Sequence, residues 1–210
     1  MNTPEVRPAT AADQQRVVGA LALAFVRDPV TRWTYPDPQD FLTHWPDLVR
    51  AFGGRAFEYG TAYYAGEFAG AALWLAPGVQ PDDALLGSVI ERTVSPQKLQ
   101  VVTQIFKQMA QYHPAEPHWS LPLIGVDPNE QGRGFGAALL RHGLERVDRE
   151  RRPAYLESTN SANIPLYERH GFEVLGTIQI EDAPPLVPML RPARLSTITL
   201  GEANSNEHFR

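Results

Sequence analysis

Apolar residues recur along this chain with a period that changes from block to block, and each block predicts an element. Val6–Ala9 reads as a short first strand. From Thr10 to about Arg27 the period is helical, with Thr10 and Asp13 at capping-box spacing and Asp28-Pro29 as the stop. Leu42, Trp45, Leu48, Val49 and Phe52 predict a second helix over about Gln39–Phe52, ended by Gly53-Gly54. Thr61–Ala65 and Ala69–Leu75 predict a hairpin that turns tightly at Gly66-Glu67. Asp82–Thr93 and Pro96–Tyr112 predict two further helices, and core packing alone accounts for the Leu99, Val102, Phe106 and Met109 stripe of the second.

The second half alternates more sharply. His118–Val126 predicts a strand, Asp127–Gly136 a loop, and the following residues a long amphipathic helix to about Arg151, with Leu140, Leu144 and Val147 inward. Pro153 breaks that helix. Ala154–Glu157 predicts a strand, Ile164–Arg169 a short helix, and Phe172–Ile180 and Leu186–Leu190 two more strands. Past Pro192 the chain turns polar without a period, so 195–210 is expected to be a disordered tail behind one domain spanning 1–194.

Composition narrows the classes of function. Hydrophobic residues make up 43% and charged residues 20% of the 210, enough to bury a sizeable core. There is no cysteine, which removes disulfides, thiolate zinc sites and a cysteine nucleophile, and fits a reducing, cytoplasmic location. The net charge of −5, from 24 acidic against 19 basic residues, argues against a nucleic-acid partner. The longest apolar run, Val17–Val26, is shorter than the ~20 residues a bilayer requires, so no membrane partner is expected. No metal site is expected either, because Pro114 and Pro117 break any helix that would align His113 with His118.

The chemistry concentrates in the loop before the long helix. Gly132, Gly134 and Gly136, between a strand and a helix, direct backbone N–H groups and the positive helix end at one point, which suits a pyrophosphate. Gly132-x-Gly134-x-x-Ala137, with Glu157 ending the next strand, also fits a dinucleotide fingerprint. Two facts weigh against that rival. Five residues, Asp127–Gln131, separate the strand from the glycines, and too little chain follows Glu157 for the further parallel strands required.

Gln131-x-x-Gly134-x-Gly136-Ala137 resembles the Q/R-x-x-G-x-G/A loop of the GNAT superfamily of acyl-CoA N-acyltransferases. Asn160 through Phe172 is similar to that superfamily's N-x-x-A-x-x-L-Y-x-x-x-G-F segment, with Asn163 where alanine is common. Within the superfamily the chain looks like the puromycin N-acetyltransferase family from about Val6 to Pro192, most clearly at Gly125-Val126-x-Pro128, Gln131–Gly136, Pro153–Glu157 and Pro165–Phe172.

The resemblance implies an α/β fold with a mixed, mostly antiparallel sheet, a splayed parallel strand pair and flanking helices. Residues 121–192 would form the coenzyme A-binding core and 28–120 a helical acceptor side. Acetyl-CoA would be the acyl-donor cosubstrate and a small-molecule amine, antibiotic-like or aminoacyl-nucleoside-like, the acceptor. The donor would meet Ile124, Gly125 and Val126 on the splayed strand, Gln131, Gly132, Arg133, Gly134, Phe135, Gly136 and Ala137 on the loop, and Asn160 and Tyr167 beyond it. The N–H of Ile124 or of Val126 would face the thioester carbonyl, and Tyr167 would protonate the departing thiolate.

The base that takes the amine's proton is open among His118, Glu157, Glu116 and His113, with His118 and Glu157 ranked first. Arg133 and Arg141 are the arginines expected nearest the donor's phosphates. Aromatics such as Trp33, Tyr35 and Trp45, beside Asp28, Asp37, Glu58 and Glu91, are expected to line an acceptor cleft for an amphipathic cation. Two rival functions share the loop: acetylation of a protein or peptide amine, and non-catalytic sensing of acyl-CoA.

Overall fold

The computed structural model describes residues 4–194, and the predicted tail, 195–210, lies outside them. Seven strands form one sheet: β1 (Val6–Pro8), β2 (Ala62–Ala65), β3 (Gly70–Leu75), β4 (Trp119–Val126), β5 (Ala154–Ser158), β6 (Glu173–Val174) and β7 (Val187–Arg191). Their order is β1-β2-β3-β4-β5-β7-β6, every pair antiparallel except β4 with β5. That is the mixed, mostly antiparallel sheet expected.

Helices α1 (Gln14–Phe25), α2 (Pro29–Thr34), α3 (Pro38–Gly53), α4 (Asp83–Thr93), α5 (Pro96–Tyr112), α6 (Phe135–Glu150) and α7 (Ile164–Arg169) flank it. Strand β3 is apolar and buried at every position because both its faces are covered. Leu73 and Leu75 pack with Val17, Leu21 and Val49 from α1 and α3. Ala72 and Trp74 pack on the opposite face with Leu139, Leu140 and Leu144 of α6.

Four local readings change. Asp28-Pro29 stops α1 but also starts α2, with Asp28 as N-cap and Pro29 in the first turn, where proline's fixed φ is pre-set for a helix. Leu42 is 60% exposed, because the inward seam of α3 runs through Phe41, Trp45 and Val49. The hairpin turn is Gly66–Ala69 rather than a two-residue turn, since Ala65 pairs directly with Gly70. The strand expected over Phe172–Ile180 shrinks to β6 and a single bridge from Ile178 to Leu186. Between them the chain passes so near α5 that a Cβ on Gly176 would lie 2.5 Å from the Tyr112 hydroxyl.

Helix α6 reaches the sheet through a missing side chain. A Cβ on Gly143 would lie 2.2 Å from Trp74 Nε1, inside the core. Gly143→Ala gains about 1 kcal/mol of helix propensity but meets an overpacking penalty of about 1–3 kcal/mol. We expect a net fall in Tm of a few degrees in thermal denaturation. An unchanged Tm would mean that α6 shifts on the sheet without strain.

Candidate active site

The site begins with a fault in the central strand pair. Strands β4 and β5 pair only at Trp119–Ala154 and Ser120–Tyr155, and beyond those two rungs they part. The register between β3 and β4 also slips there, from Leu73–Leu123 to Leu75–Ser120. Pro122 sits in the slip. It has no N–H to give a ladder, which confines proline to bulges and edges of sheets. The bulge changes which backbone groups face the gap. Asp127 N–H donates to the Ala69 carbonyl at 2.8 Å, so the alternation along β4 turns Gly125 toward β3 and the N–H groups of Ile124 and Val126 toward the splay.

Around that splay lies a cavity of about 660 Å³. Ile124, Gly125, Val126, Gln131, Gly132, Gly134, Phe135, Gly136, Ala137, Asn160 and Tyr167 all line it, from stretches far apart in sequence. Gly132 and Gly134 hold φ values of +76° and +85°, the left-handed region where other residues are strained. Gly134 is also the N-cap of α6, whose first turn carries no acidic residue, so the positive helix end faces the cavity unopposed. The Gln131 amide donates to the Val126 carbonyl at 3.3 Å and ties the loop to the splayed strand. Arg133 takes another direction: its guanidinium pairs with Glu130 and lies over the Phe135 ring.

Tyr167, on α7, is 6% exposed and lines the same cavity. Burial, and then the negative charge of Asp28, push its hydroxyl well above the ordinary tyrosine range, so it stays protonated near neutral pH. Asp28 is the neighbour that sequence reading assigned elsewhere. Its Oδ1 accepts from Thr31 N–H at 2.9 Å, and its Oδ2 accepts from the Thr159 hydroxyl at 2.6 Å. It thereby joins the start of α2 to the loop after β5. Burial raises the Asp28 carboxyl above its ordinary value, against the pull of those hydrogen bonds.

A raised folded-state pKa adds stability at low pH that is lost as pH rises through it, so ionised Asp28 weighs on the fold at neutral pH. Asparagine caps a helix as well as aspartate does and can keep both partners. Asp28→Asn should therefore hold or raise Tm at pH 7, with the difference from the parent shrinking as pH falls toward 3.8, the ordinary value. A lower Tm at pH 7 would count against this account.

On the far side of the splay a second cavity of about 480 Å³ shares Leu121, Pro122 and Glu157 with the first. Its walls are mostly apolar, including Phe52, Leu86, Phe106 and Met109. Glu157 lines both cavities, and beside it on the second stand His113, His118 and Tyr155. His118 Nδ1 lies 2.8 Å from the Glu116 carbonyl, and His118 Nε2 lies 3.3 Å from His113 Nδ1. His113 Nε2 lies 3.4 Å from Glu157 Oε1, which is buried and accepts no aligned hydrogen bond. Desolvation holds His118 below the ordinary histidine range, while burial and the Glu157 carboxylate raise the Tyr155 hydroxyl.

The structure thus places Glu157 on both cavities and His118 on the second, with His113 between them. The expected acceptor aromatics behave differently: Tyr35 and Trp45 are buried in the core, and neither they nor Trp33 lines the second cavity. Asp37 is spent capping α3, and Asp28 belongs to the first cavity. The roles of Pro122, Tyr155 and Thr159 went unread. For Pro122 the signal was present, since a proline inside an apolar strand announces a bulge. Among the described residues no group of three or more His, Asp or Glu side chains is placed to hold a metal ion, and no helix is long and apolar enough to cross a membrane.

Known proteins share this fold. Residues 22–172 match the Acetyltransferase (GNAT) family. A Corynebacterium glutamicum structure described as histone acetyltransferase HPA2 and related acetyltransferase superposes with a TM-score of 0.68 at 30% identity, covering 94% of this chain and 100% of that one. An N-acetyltransferase of Schizosaccharomyces pombe is 27% identical over 176 residues, 77% of this chain and 71% of its own. Mycothiol acetyltransferase of Acidothermus cellulolyticus is 41% identical over a shorter stretch of 68 residues, 31% of this chain and 21% of that protein. With its splayed parallel pair, its glycine loop at a helix start and a family match over most of its length, the chain belongs to the GNAT family of acetyltransferases.

Proposed function

We propose that this acetyltransferase moves an acetyl group from acetyl-CoA to the primary amine of a small molecule with an apolar body. The observation that carries this reading is the pair of cavities meeting at Leu121, Pro122 and Glu157. The first has the fittings of an acyl-CoA site. Gly132, Gly134 and the start of α6 suit the pyrophosphate, and the N–H groups of Ile124 and Val126 suit the thioester arm and its developing oxyanion. Arg133, freed from Glu130, would reach the outer phosphate edge. The second cavity has the size of a small-ligand site and an apolar lining that would hold the body of the acceptor.

In this reading the neutral amine nitrogen forms a bond to the acetyl carbon, the carbon–sulfur bond breaks, and Tyr167 gives its proton to the departing sulfur. Glu157, which lines both cavities, receives the proton that the amine sheds. Resemblance to the puromycin N-acetyltransferase family makes an antibiotic amine or an aminoacyl-nucleoside the first class to try. Isothermal titration with acetyl-CoA, beside NAD and NADP, tests the donor, and a turnover panel of aromatic amines, aminoacyl-nucleosides and basic peptides tests the acceptor. Acetyl-CoA should bind alone. Preference for NAD would sink the donor assignment, and turnover of peptides only would sink the small-molecule reading.

The name of the Corynebacterium relative favours one other acceptor, a protein amine. The apolar lining of the second cavity, where Asp83 and Glu157 are the acidic residues, suits a lysine-rich peptide less well.

A further inference from the structure

Donors and acceptors fix the direction of the chain that runs from the Glu116 carbonyl to Glu157. A carbonyl only accepts, so His118 must carry its proton on Nδ1, 2.8 Å from the Glu116 oxygen. His118 Nε2, neutral because burial holds the ring uncharged, is then an acceptor, and His113 must donate to it from Nδ1 across 3.3 Å. That leaves His113 Nε2 with a bare lone pair, 3.4 Å from the buried and unpartnered Glu157 Oε1. In the deprotonated state no proton lies between them, and one added proton converts the contact into an ion pair.

We infer that His113 and Glu157 together form a receptacle for one proton at the junction of the two cavities, and that His113 is the positioning residue that lets Glu157 take this proton from the acceptor ammonium. The step balances. An N–H bond of the ammonium breaks, the proton passes through the Glu157 carboxylate to His113 Nε2, and a neutral amine faces an imidazolium–carboxylate pair. The Glu157 side chain is 8% accessible and His113 36%, so His113 is the member that can return the proton to water. The other ionisable groups around the pair are Tyr155, whose ring centre lies 4.3 Å from that of His113, Tyr112 beside Tyr155, Glu116 on the connecting loop and Asp83 on the second cavity. The position of the proton follows from the hydrogen-bond geometry and from the burial that keeps His118 uncharged, while its catalytic use rests on the acetyltransferase reading above.

Long-range proton–nitrogen NMR of the histidine rings in the full chain, from pH 5 to 9, tests the position directly. His118 should be neutral with its proton on Nδ1, and the neutral form of His113 should likewise carry its proton on Nδ1 and leave Nε2 bare beside Glu157. A proton on His118 Nε2, or a neutral His113 protonated on Nε2, would overturn the inference. The catalytic role is read separately, from kcat/KM against pH for the panel amine turned over fastest. His113→Asn leaves only the Glu157 carboxylate to be emptied, so the rising limb should move toward lower pH by about one unit or more, and an unmoved limb would reduce His113 to a structural part. Failure of acetyl-CoA to bind in the same preparation would remove the catalytic role but not the tautomer result.

Discussion

Gly134→Asp should abolish measurable acetyl-CoA binding while the protein stays folded. Gly134 has φ +85°, and aspartate is among the few side chains that tolerate this region, so the backbone cost is about 1 kcal/mol. No heavy atom lies nearer than 3.9 Å to a Cβ at this position, so nothing in the core moves. The new carboxylate would stand at the start of α6, where the cavity offers an anion its best field. Two like charges about 4 Å apart near a protein surface repel by about 4 kcal/mol, equivalent to a loss of roughly 10³-fold in affinity. Calorimetric titration of acetyl-CoA into parent and variant, with circular dichroism as the check on folding, measures it. Binding reduced less than tenfold would place the pyrophosphate elsewhere.

The second large effect is on rate. Tyr167→Phe should lower kcat about 10²–10⁴-fold, the range lost with a general acid, and leave the acetyl-CoA Kd nearly unchanged. Phenylalanine keeps the ring that packs beside Phe172, with centres 6.1 Å apart, and stability should move by less than about 1 kcal/mol. The raised tyrosine pKa gives the pH dependence its sign. The hydroxyl remains protonated through neutral and mildly alkaline pH, so any loss of activity over that range belongs to another group. A kcat within threefold of the parent would assign protonation of the thiolate to water. It would also restore the sensor as a serious alternative if no amine were turned over.

The sequence was most legible where local periodicity and punctuation agree. Strand β4 and helix α7 fall within a residue of their expected bounds, and α6 within two, because a proline, a glycine or a sharp change of period marks each end. Elements stopped by tertiary contacts were less visible: β6 ends where Gly176 passes Tyr112, a contact between segments more than sixty residues apart in the chain. The glycine loop of the first cavity was readable for the same reason as α6, since it is one contiguous stretch, whereas Asn160 and Tyr167 reach the cavity from beyond β5. The second cavity is assembled from α3, α4, α5, β4, β5 and two loops, one to three residues from each, and no spacing in the sequence announces it. Asp28 shows the limit well. Its neighbours in sequence define it as a helix cap, while its place beside Tyr167 depends on Thr159, 131 residues away.

The two-rung junction between β4 and β5 has a thermodynamic consequence. It divides the sheet into two leaves, β1–β4 and β5–β7, sharing a hinge of two residue pairs at Trp119 and Ser120. The amides of Ile124 and Val126 lie mid-sheet yet belong to neither leaf's ladder, so they should exchange with solvent deuterium faster than their neighbours on β3. A donor laid between the leaves would supply the absent rungs and slow that exchange. At a concentration one hundred times its Kd it would add about 2.7 kcal/mol to the stability of the whole domain. The abundance of acyl donor would then govern the working lifetime of the folded chain as well as its turnover.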